Sequence, residues 1–323
     1  MKVRTIQHDN TACCQGRVST RKHFLAFAKA ESDQLQASGH LGLAANYRCA
    51  ANSLRRFLNT SGCMDITFDQ LTPCFVNSYE EWLRQGGVTR NSSSCYMRSL
   101  QAIYNRAVRR GLAVGTPFSN VYTGVAKTRK RAVCISDIRR LYRLNIRRCL
   151  LLSDCNPRRK TFEQVCENLE FARDLFIFCF CARGLTFVDL CFLHKADLEG
   201  GTISYVRRKT GQQLQVRVEP LMQRIISRWQ TRKGPYLFPI LTSTNRQKAY
   251  LQYRTALRQY NKNLKTISLF MRPGVNLSSY VCRHTWATAA YQQQIPLSVI
   301  SQAMGHDSEL TTKIYLKSLE SSV

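Results

Sequence analysis

The sequence predicts a mainly α-helical protein that carries one small antiparallel β-sheet. Helix-capping residues and helix-ending glycines recur through most of the 323-residue chain, as expected of successive short helices. Strand-like alternation of apolar and polar residues stands out around 203–206 and 214–218, on either side of a Lys-Thr-Gly-Gln turn at 209–212. One hairpin within a helical chain therefore accounts for the sheet.

The N-terminal part reads as four helices without an intervening strand. After a flexible tail at 1–18, the helical domain spans 19–113. The first helix is expected from Thr20 to about Ser38 and the second from about Leu41 to Leu58. The third is expected to start with a cap at Thr67-Phe68-Asp69 and to end at Gly86-Gly87. The fourth follows a cap at Thr89 or Asn91 and ends near Gly111.

A linker separates this domain from a second, larger one. Residues 114–132 contain glycine, proline and the basic run 127–131, which is typical of an inter-domain connection. The second domain is expected over 133–323, with a capped helix start at 134–138. A long helix at 161–183 is apolar towards its end, which predicts that it is buried.

Charge and composition restrict the possible partners. Lys and Arg number 48 against 20 Asp and Glu, a formal net charge of +28. An excess of this size indicates a polyanion binder, with nucleic acid as the first candidate. No apolar run approaches the roughly 20 residues of a membrane span. The 14 cysteines are irregularly spaced and lack a CxxC pair, which favours a reducing cytoplasm over a disulfide scaffold or a zinc site.

Three residue types near the C-terminus can together act on a phosphodiester. Arg283 can neutralise phosphate charge, His306 can exchange a proton near neutral pH, and Tyr315 can form a covalent bond. Gly305 predicts a helix end, so His306 is expected at a turn between two helices. Tyr280 lies three residues before Arg283 and shares its helix face. The recurrence of all three types in this order indicates a phosphodiester site.

These motifs resemble those of the tyrosine recombinases, the phage-integrase family. The resemblance rests on the Arg-His-Thr-Trp motif at 283–286, Gly305-His306 and Tyr315, and on a hairpin motif with Lys209. The stretch 183–190 is similar to integrases and invertases of gut-bacterial mobile elements. The resemblance to the family extends from about residue 20 to the end of the chain, because the N-terminal helices resemble the family's SAM-like core-binding domain. The fold implied is a helical core-binding domain followed by a tyrosine-recombinase catalytic domain.

The resemblance implies a site-specific recombinase that requires neither metal nor cofactor. Tyr315 would attack the scissile phosphate and form a 3′-phosphotyrosyl bond. Arg283 and a second arginine would hold the non-bridging oxygens, and His306 would hydrogen-bond the phosphate. Lys209 would protonate the leaving 5′ oxygen.

Two positions depart from the family's pattern. Tyr280 stands where the family usually has a histidine, and a phenol with a pKa near 10 is a poor base. The family's commonest motif places an arginine at the position of Thr186. We favour Arg183, one helical turn earlier, as the replacement, and Arg207 on the strand before Lys209 is the alternative.

The N-terminal domain and the linker are expected to bind the DNA duplex. The second and fourth helices and the basic run supply polar and positively charged side chains, and a helix N-terminus can meet a phosphate. The predicted DNA-binding residues are Arg48, Arg55, Arg90, Asn91, Ser93, Arg106, Lys127, Arg129 and Lys130.

Two other functions stay open at this point: a catalytically weak DNA-binding relative, and a type IB topoisomerase. The expected partners are double-stranded attachment or inverted-repeat sites, bound by a homotetramer that accessory DNA-bending proteins could assist. The expected location is cytoplasmic and nucleoid-associated. The reaction would be integration, excision or inversion of a mobile or invertible element.

Overall fold

The computed structural model describes residues 23–126, 132–152, 162–231 and 233–313. The chain divides into two units, Met1–Lys127 and Thr128–Val323. The division falls within the predicted linker 114–132, and the domain boundaries inferred from sequence stay predictions. The predicted tail at 1–18 lies outside the described residues.

The first unit contains the four expected helices. They are α1 Phe24–Ala37, α2 Leu41–Thr60, α3 Pro73–Gln85 and α4 Arg90–Arg109. The expected start of the third helix at Thr67 is wrong. Thr72 caps α3 by accepting a hydrogen bond from the Phe75 amide. Pro73, the first helical residue, has no N–H group that would lack an acceptor in the first turn. Phe68, in the expected first turn, is instead buried in the core.

The core of the first unit is rich in aromatic side chains. Phe24, Tyr79 and Met97 are at most 1% exposed, and each such burial stabilises the fold by roughly 1.5–3 kcal/mol. Phe118 and Val121 belong to the same core, although both fall in the predicted linker. The linker therefore packs against the helical domain at least as far as Val121.

The second unit surrounds one buried helix, α7. Its helices are α5 Ile135–Arg143, α6 Ile146–Leu151, α7 Phe162–Cys181, α8 Phe187–Cys191, α9 Pro220–Trp229, α10 Arg246–Ser268, α11 Ser279–Gln292 and α12 Leu297–Met304. Phe176 and Phe178 on α7 are fully buried, and α9, α10 and α11 all pack against this helix. Within the described ranges, no helix is both long and apolar enough to cross a membrane.

The sheet is a three-stranded antiparallel meander. Its strands are β1 Leu198–Glu199, β2 Thr202–Val206 and β3 Gln213–Arg217, in the order β1-β2-β3. Ile203 faces Val216 in the register of β2 and β3. The expected hairpin is thus present, and β1 adds a short edge strand that the sequence analysis did not identify.

Candidate active site

Arg283 lies in the first half of α11 with a buried side chain, which is 3% exposed. Its Nη1 donates to the Gly184 carbonyl oxygen at 3.0 Å, and its Nη2 donates to the Met304 carbonyl oxygen at 2.5 Å. Nη2 also lies 3.2 Å from His306 Nε2. Backbone oxygens from the turn after α7 and from the last residue of α12 therefore fix the direction of this guanidinium, as a preorganised anion site requires.

Gly184 allows the backbone to approach Arg283 closely. Its φ is +71°, in the left-handed region, and a Cβ at this position would lie 3.0 Å from the Arg283 Cα. Any larger residue would push α11 away from the turn after α7. The glycine of the Arg-Gly-Leu motif is therefore required both for the turn and for the contact.

His306 lies directly after α12, at the turn that the sequence predicted. Gly305 ends α12 in the left-handed conformation with φ +63°. The two ring nitrogens of His306 have different partners, since Nε2 faces Arg283 and Nδ1 lies 2.7 Å from Thr312 Oγ1. A guanidinium can only donate, so His306 Nε2 accepts and Nδ1–H donates to Thr312. This assigns a neutral imidazole with its proton on Nδ1.

The surroundings of His306 oppose a second proton. Burial, followed by the positive charges of Arg283, Arg207 and Lys209, lowers the pKa of His306 from 6.5 to about 4. The ring is therefore neutral at pH 7. A phosphate bound between these cations would cancel part of their charge and raise the pKa of His306 again.

The lowered pKa of His306 predicts a pH-dependent stability. Between pH 6.5 and about 4 the unfolded chain binds this proton and the folded chain does not, so the free energy of unfolding falls as the pH falls through this window. We expect His306→Asn to lose less stability than the native chain between pH 7 and pH 5. Urea unfolding at both pH values measures this difference. His194→Asn, which removes an exposed imidazole of the same unit, is the control, and an unaltered pH dependence in His306→Asn would contradict the prediction.

Lys209 lies in the turn of the hairpin between β2 and β3. The Arg207 amide donates to the Gln212 carbonyl and the Gly211 amide donates to the Arg207 carbonyl, both at 2.8 Å, which closes the turn. Gly211 has φ +74°, the left-handed conformation that this turn requires. Lys209 is exposed, yet its charge still lowers the pKa of His306. The turn therefore presents an exposed cation whose charge acts on His306.

Side chains of the hairpin are hydrogen-bonded to the Gly305–His306 turn. Arg207 Nη1 and Thr210 Oγ1 both donate to the Gly305 carbonyl oxygen, the second at 3.2 Å. Gln212 Nε2 lies 3.3 Å from both the His306 carbonyl oxygen and Asp307 Oδ1. These contacts hold the hairpin that carries Lys209 against the turn that carries His306.

Asp189 fixes the hairpin from the other side. Thr186, at the position where the family usually has an arginine, is the N-cap of α8 and donates to Asp189 Oδ2 at 2.6 Å. Asp189 Oδ1 accepts the Arg208 amide at 2.9 Å. Both carboxylate oxygens thus hold backbone or hydroxyl groups, and neither accepts a hydrogen bond from an arginine side chain of the described ranges.

The structure brings together four of the residues predicted for catalysis: Arg283, His306, Lys209 and the alternative arginine Arg207. Arg207 is 5% exposed, and burial and the Arg283 cation lower its pKa. Tyr280 is the second residue of α11, is 52% exposed and lies edge-on to the His284 ring at a centroid distance of 4.8 Å. Tyr315 lies outside the described residues, so its assignment stays a prediction.

Arg183 occupies a different environment from the four clustered residues. Its side chain is exposed and its φ is +57°, uncommon for a residue with a Cβ. No residue within the described ranges hydrogen-bonds its guanidinium. Its role as the second phosphate-binding arginine stays a prediction.

Several groups that hold the site residues were not among those predicted from the sequence. The Gly184 and Met304 carbonyls, the Thr312 hydroxyl and the Asp189 carboxylate all hold site residues. A signal existed for Asp189, because Thr186-x-x-Asp189 has the spacing of a capping box. No sequence pattern indicates which backbone carbonyls will contact Arg283, or that a threonine six residues after His306 will bind its ring.

The anion-binding capacity of the site follows from its charges. Arg283 and Arg207 are both buried, and within the described ranges neither forms an ion pair with a carboxylate. Burying a cation without a counter-charge is costly unless a ligand supplies that charge. The arrangement is therefore suited to a phosphate group. Among the described residues, no three His, Cys, Asp or Glu side chains form a metal-binding group.

The residues predicted to bind DNA in the first unit have several environments. Arg48, Arg55 and Arg90 are exposed, and the Arg90 guanidinium lies 3.9 Å from the centroid of the Tyr122 ring. Arg106 is half-buried and pairs at 2.8 Å with Glu31, which is buried. This pairing gives Arg106 a role in the fold, whereas the first three remain accessible to a phosphate backbone.

The start of α4 holds residues 124 and 126 of the predicted linker. Asn91 donates to the Ala126 carbonyl at 3.0 Å and accepts the Ala126 amide at 2.7 Å. Ser94 donates to the Gly124 carbonyl at 2.5 Å, and the buried Ser93 hydroxyl has no hydrogen-bond partner in the part of the chain that the structure describes. Contacts of Asn91 and Ser93 with DNA stay predictions. Lys127, Arg129 and Lys130 lie outside the described residues.

Two family models match the chain, one in each unit. The model described as phage integrase SAM-like domain matches residues 23–123, and the phage integrase family model matches residues 160–321. Tyrosine recombinase XerA of Pyrococcus furiosus is 27% identical over 175 residues. That match covers 50% of this chain and 57% of XerA, so the chain spans little more than half the length of that relative.

Solved integrases share the fold. A lambda integrase dimer bound to a COC′ core site superimposes with a TM-score of 0.63 at 16% identity, over 91% of this chain and 77% of that one. The Tn1549 transposon integrase in complex with transposon right end DNA gives a TM-score of 0.58 at 12% identity, over 93% and 98%. The expected combination of a helical N-terminal domain with a catalytic domain is thereby confirmed.

Proposed function

Because this chain belongs to the phage integrase family, we propose that it is a site-specific DNA recombinase that cleaves and rejoins duplex DNA. The observation that carries the proposal is the buried Arg283 guanidinium, which points at a neutral His306 and has no carboxylate partner among the described residues. Such a site gains its missing negative charge when a phosphodiester enters.

Each step of the proposed reaction needs a residue of the chain. The Tyr315 hydroxyl gives its proton to water as its oxygen attacks phosphorus, the bond from phosphorus to the 5′ oxygen breaks, and a 3′-phosphotyrosyl bond forms. Lys209 gives a proton to the departing 5′ oxygen, which leaves as a hydroxyl. Arg283 holds a non-bridging oxygen, where negative charge increases in the transition state. The phosphotyrosyl bond retains the energy of the broken bond, so a 5′ hydroxyl of another strand can reverse the chemistry.

His306 is proposed to bind the phosphate only after it gains a proton. In the free protein the lone pair on its Nε2 accepts a hydrogen bond from Arg283. A phosphate oxygen is itself an acceptor, so Nε2 must carry a proton before it can bind that oxygen. The entering negative charge raises the pKa of His306, and the imidazolium then donates from Nε2 while Thr312 continues to hold Nδ1. The hydrogen bond is thus strongest when charge on the phosphate is greatest.

The proposed partners follow from the reaction. Double-stranded attachment or inverted-repeat sites are the substrate, and exchange between two duplexes requires four active sites, hence a homotetramer. Solved relatives include a lambda integrase tetramer bound to a Holliday junction. Accessory DNA-bending proteins, a nucleoid-associated location in the cytoplasm, and integration, excision or inversion of an element are parts of the same proposal.

Covalent capture of DNA tests the proposed function. A recognition duplex is first selected from a random-sequence pool by its binding to the full chain, and a nick is then placed at successive positions so that the cleaved end diffuses away. We expect a denaturation-resistant adduct at one position, in excess EDTA and without ATP. Mass spectrometry of the digested adduct should place a phosphodinucleotide on the peptide that contains Tyr315.

Each outcome of this assay separates two functions. A bound duplex that yields no adduct at any nick position would indicate a catalytically weak DNA-binding relative. A parallel assay on supercoiled plasmid tests the third function, because relaxation without regard to sequence would indicate a topoisomerase. An adduct that EDTA abolishes would overturn the metal-independent mechanism.

A further inference from the structure

We infer that Arg207, the residue directly after β2, supplies the second guanidinium that holds the scissile phosphate, in place of the helix-borne arginine that is usual in the family. The inference rests on the proposed function and refines its active site. It reverses the preference for Arg183 that the sequence suggested.

Strand geometry directs Arg207 into the site. Side chains alternate along a strand, and Ile203 and Tyr205 are buried on the inner face of β2. Arg207 continues this alternation and is 5% exposed. Arg207 donates to the Gly305 carbonyl and Arg283 to the Met304 carbonyl, so the two guanidiniums contact consecutive backbone oxygens. Burial and the Arg283 cation accordingly lower the pKa of Arg207.

A glycine makes room for this side chain. A Cβ on Gly305 would lie 3.0 Å from Arg207 Cδ and 3.0 Å from Leu214 Cδ1. The Arg207 guanidinium thereby reaches the Gly305 carbonyl directly before His306. The turn that presents His306 is thus built around the arginine.

The hydrogen bonds of Arg207 are incomplete in a way that points to a ligand. Its Nη1 is bound to the Gly305 carbonyl, whereas its Nε is buried and has no hydrogen-bond partner among the described residues. The nearby carboxylate, Asp189, already accepts from Thr186 and from the Arg208 amide. An unpaired N–H on a buried cation costs about 1–3 kcal/mol, which an anionic oxygen at this position would offset.

The position of Arg207 on the hairpin would couple phosphate binding to proton transfer by Lys209. Arg207 and Lys209 are two residues apart, so the phosphate that Arg207 holds is presented to the Lys209 amine. The bonds of Thr210 and Gln212 to the Gly305–Asp307 turn keep this arrangement together with His306. These two side chains make similar contacts to those of Arg207 but carry no charge, which makes them matched controls.

Removal of the phosphate charge tests Arg207. Adduct formation is measured on the selected duplex with an ordinary phosphate, and on one with each diastereomer of a methylphosphonate, in which a neutral methyl group replaces one non-bridging oxygen. We expect Arg207→Ala to slow adduct formation by about 10²–10³-fold on phosphate. On at least one methylphosphonate diastereomer its deficit relative to the native chain should shrink to under about 10-fold, because the charge that Arg207 neutralises is gone.

The controls separate charge from hairpin docking. Thr210→Val and Gln212→Ala should show the same deficit on methylphosphonate as on phosphate. Arg183→Ala should lose less than about 10-fold on phosphate, within the range of an indirect effect. The inference fails if Arg183→Ala loses more than Arg207→Ala, or if methylphosphonate gives Arg207→Ala no relief. Absence of an adduct from the native chain would instead count against the proposed function.

A second measurement does not depend on folding of the alanine variant. In a ¹⁵N spectrum of arginine side chains, the Arg207 Nε–H signal is assigned by its loss in Arg207→Lys, which keeps the charge. Addition of the selected unnicked duplex should shift this signal in the native chain. A signal unaffected by duplex under conditions where the DNA is bound would overturn the inference.

Discussion

Replacement of Tyr315 by phenylalanine is expected to abolish the covalent adduct with the nicked duplex and to leave duplex affinity within about threefold of the native value. The two side chains differ by one oxygen atom, and that oxygen is the proposed nucleophile. Phosphate binding by Arg283 and the basic surface does not depend on it. Adduct formation is measured on denaturing gels and affinity by fluorescence anisotropy of a labelled duplex.

Tyr291 offers a matched control for this substitution. It is a partly exposed tyrosine of α11, and Tyr291→Phe removes the same atom from a position that the mechanism does not use. We expect this variant to form the adduct at the native rate. Adduct formation by Tyr315→Phe at a rate similar to that of Tyr291→Phe would show that another group attacks the phosphate.

Replacement of Arg283 by alanine is expected to lower the rate of adduct formation by about 10³-fold or more. The guanidinium is the buried cation that the proposed transition state needs, and its two backbone partners fix its direction. The same change leaves the Gly184 and Met304 carbonyls without a donor, which should lower the free energy of unfolding by roughly 1–3 kcal/mol. Single-turnover cleavage and urea unfolding measure the two effects separately.

A lysine at position 283 distinguishes charge from geometry. Arg283→Lys keeps the positive charge but cannot reach both carbonyls and the phosphate at once, because an ammonium lacks the planar fork of donors. We expect an intermediate cleavage rate. Arg258→Ala, which removes an exposed arginine of α10, serves as the control and should cleave at the native rate. A native rate in Arg283→Ala would remove Arg283 from the proposed mechanism.

The arginine choice shows where sequence reasoning reached its limit. Spacing placed Arg183 one helical turn from the usual position and placed Arg207 on a strand face, and both arguments were sound locally. The two arginines differ in burial, since Arg207 is buried and Arg183 is exposed. Arg207 is held in its buried position by a contact with Gly305, 98 positions away in the chain. A local pattern contains no information on which loop will lie against which strand.

A similar limit applies to the polar residues at the start of α4. Asn91 and Ser93 were predicted to meet DNA because a helix N-terminus attracts phosphate. In the structure Asn91 makes both hydrogen bonds to Ala126 within its own unit. A side chain that can bind a phosphate can equally bind a backbone group, and only the packing of 124–126 on α4 shows which one it holds.

The sequence alone determined the fold class, the four N-terminal helices, the hairpin and the group formed by Arg283, His306 and Lys209, together with the family to which the chain belongs. These features depend on local signals, namely capping residues, side-chain periodicity and motifs whose spacing reflects the reaction. Tertiary structure alone decided that His306 is neutral, that Gly184 and Met304 aim Arg283, and that Arg207 lies buried beside it. The reason is physical: pKa values, burial and unsatisfied donors depend on which distant groups surround a side chain, and those groups come together only when the chain has folded.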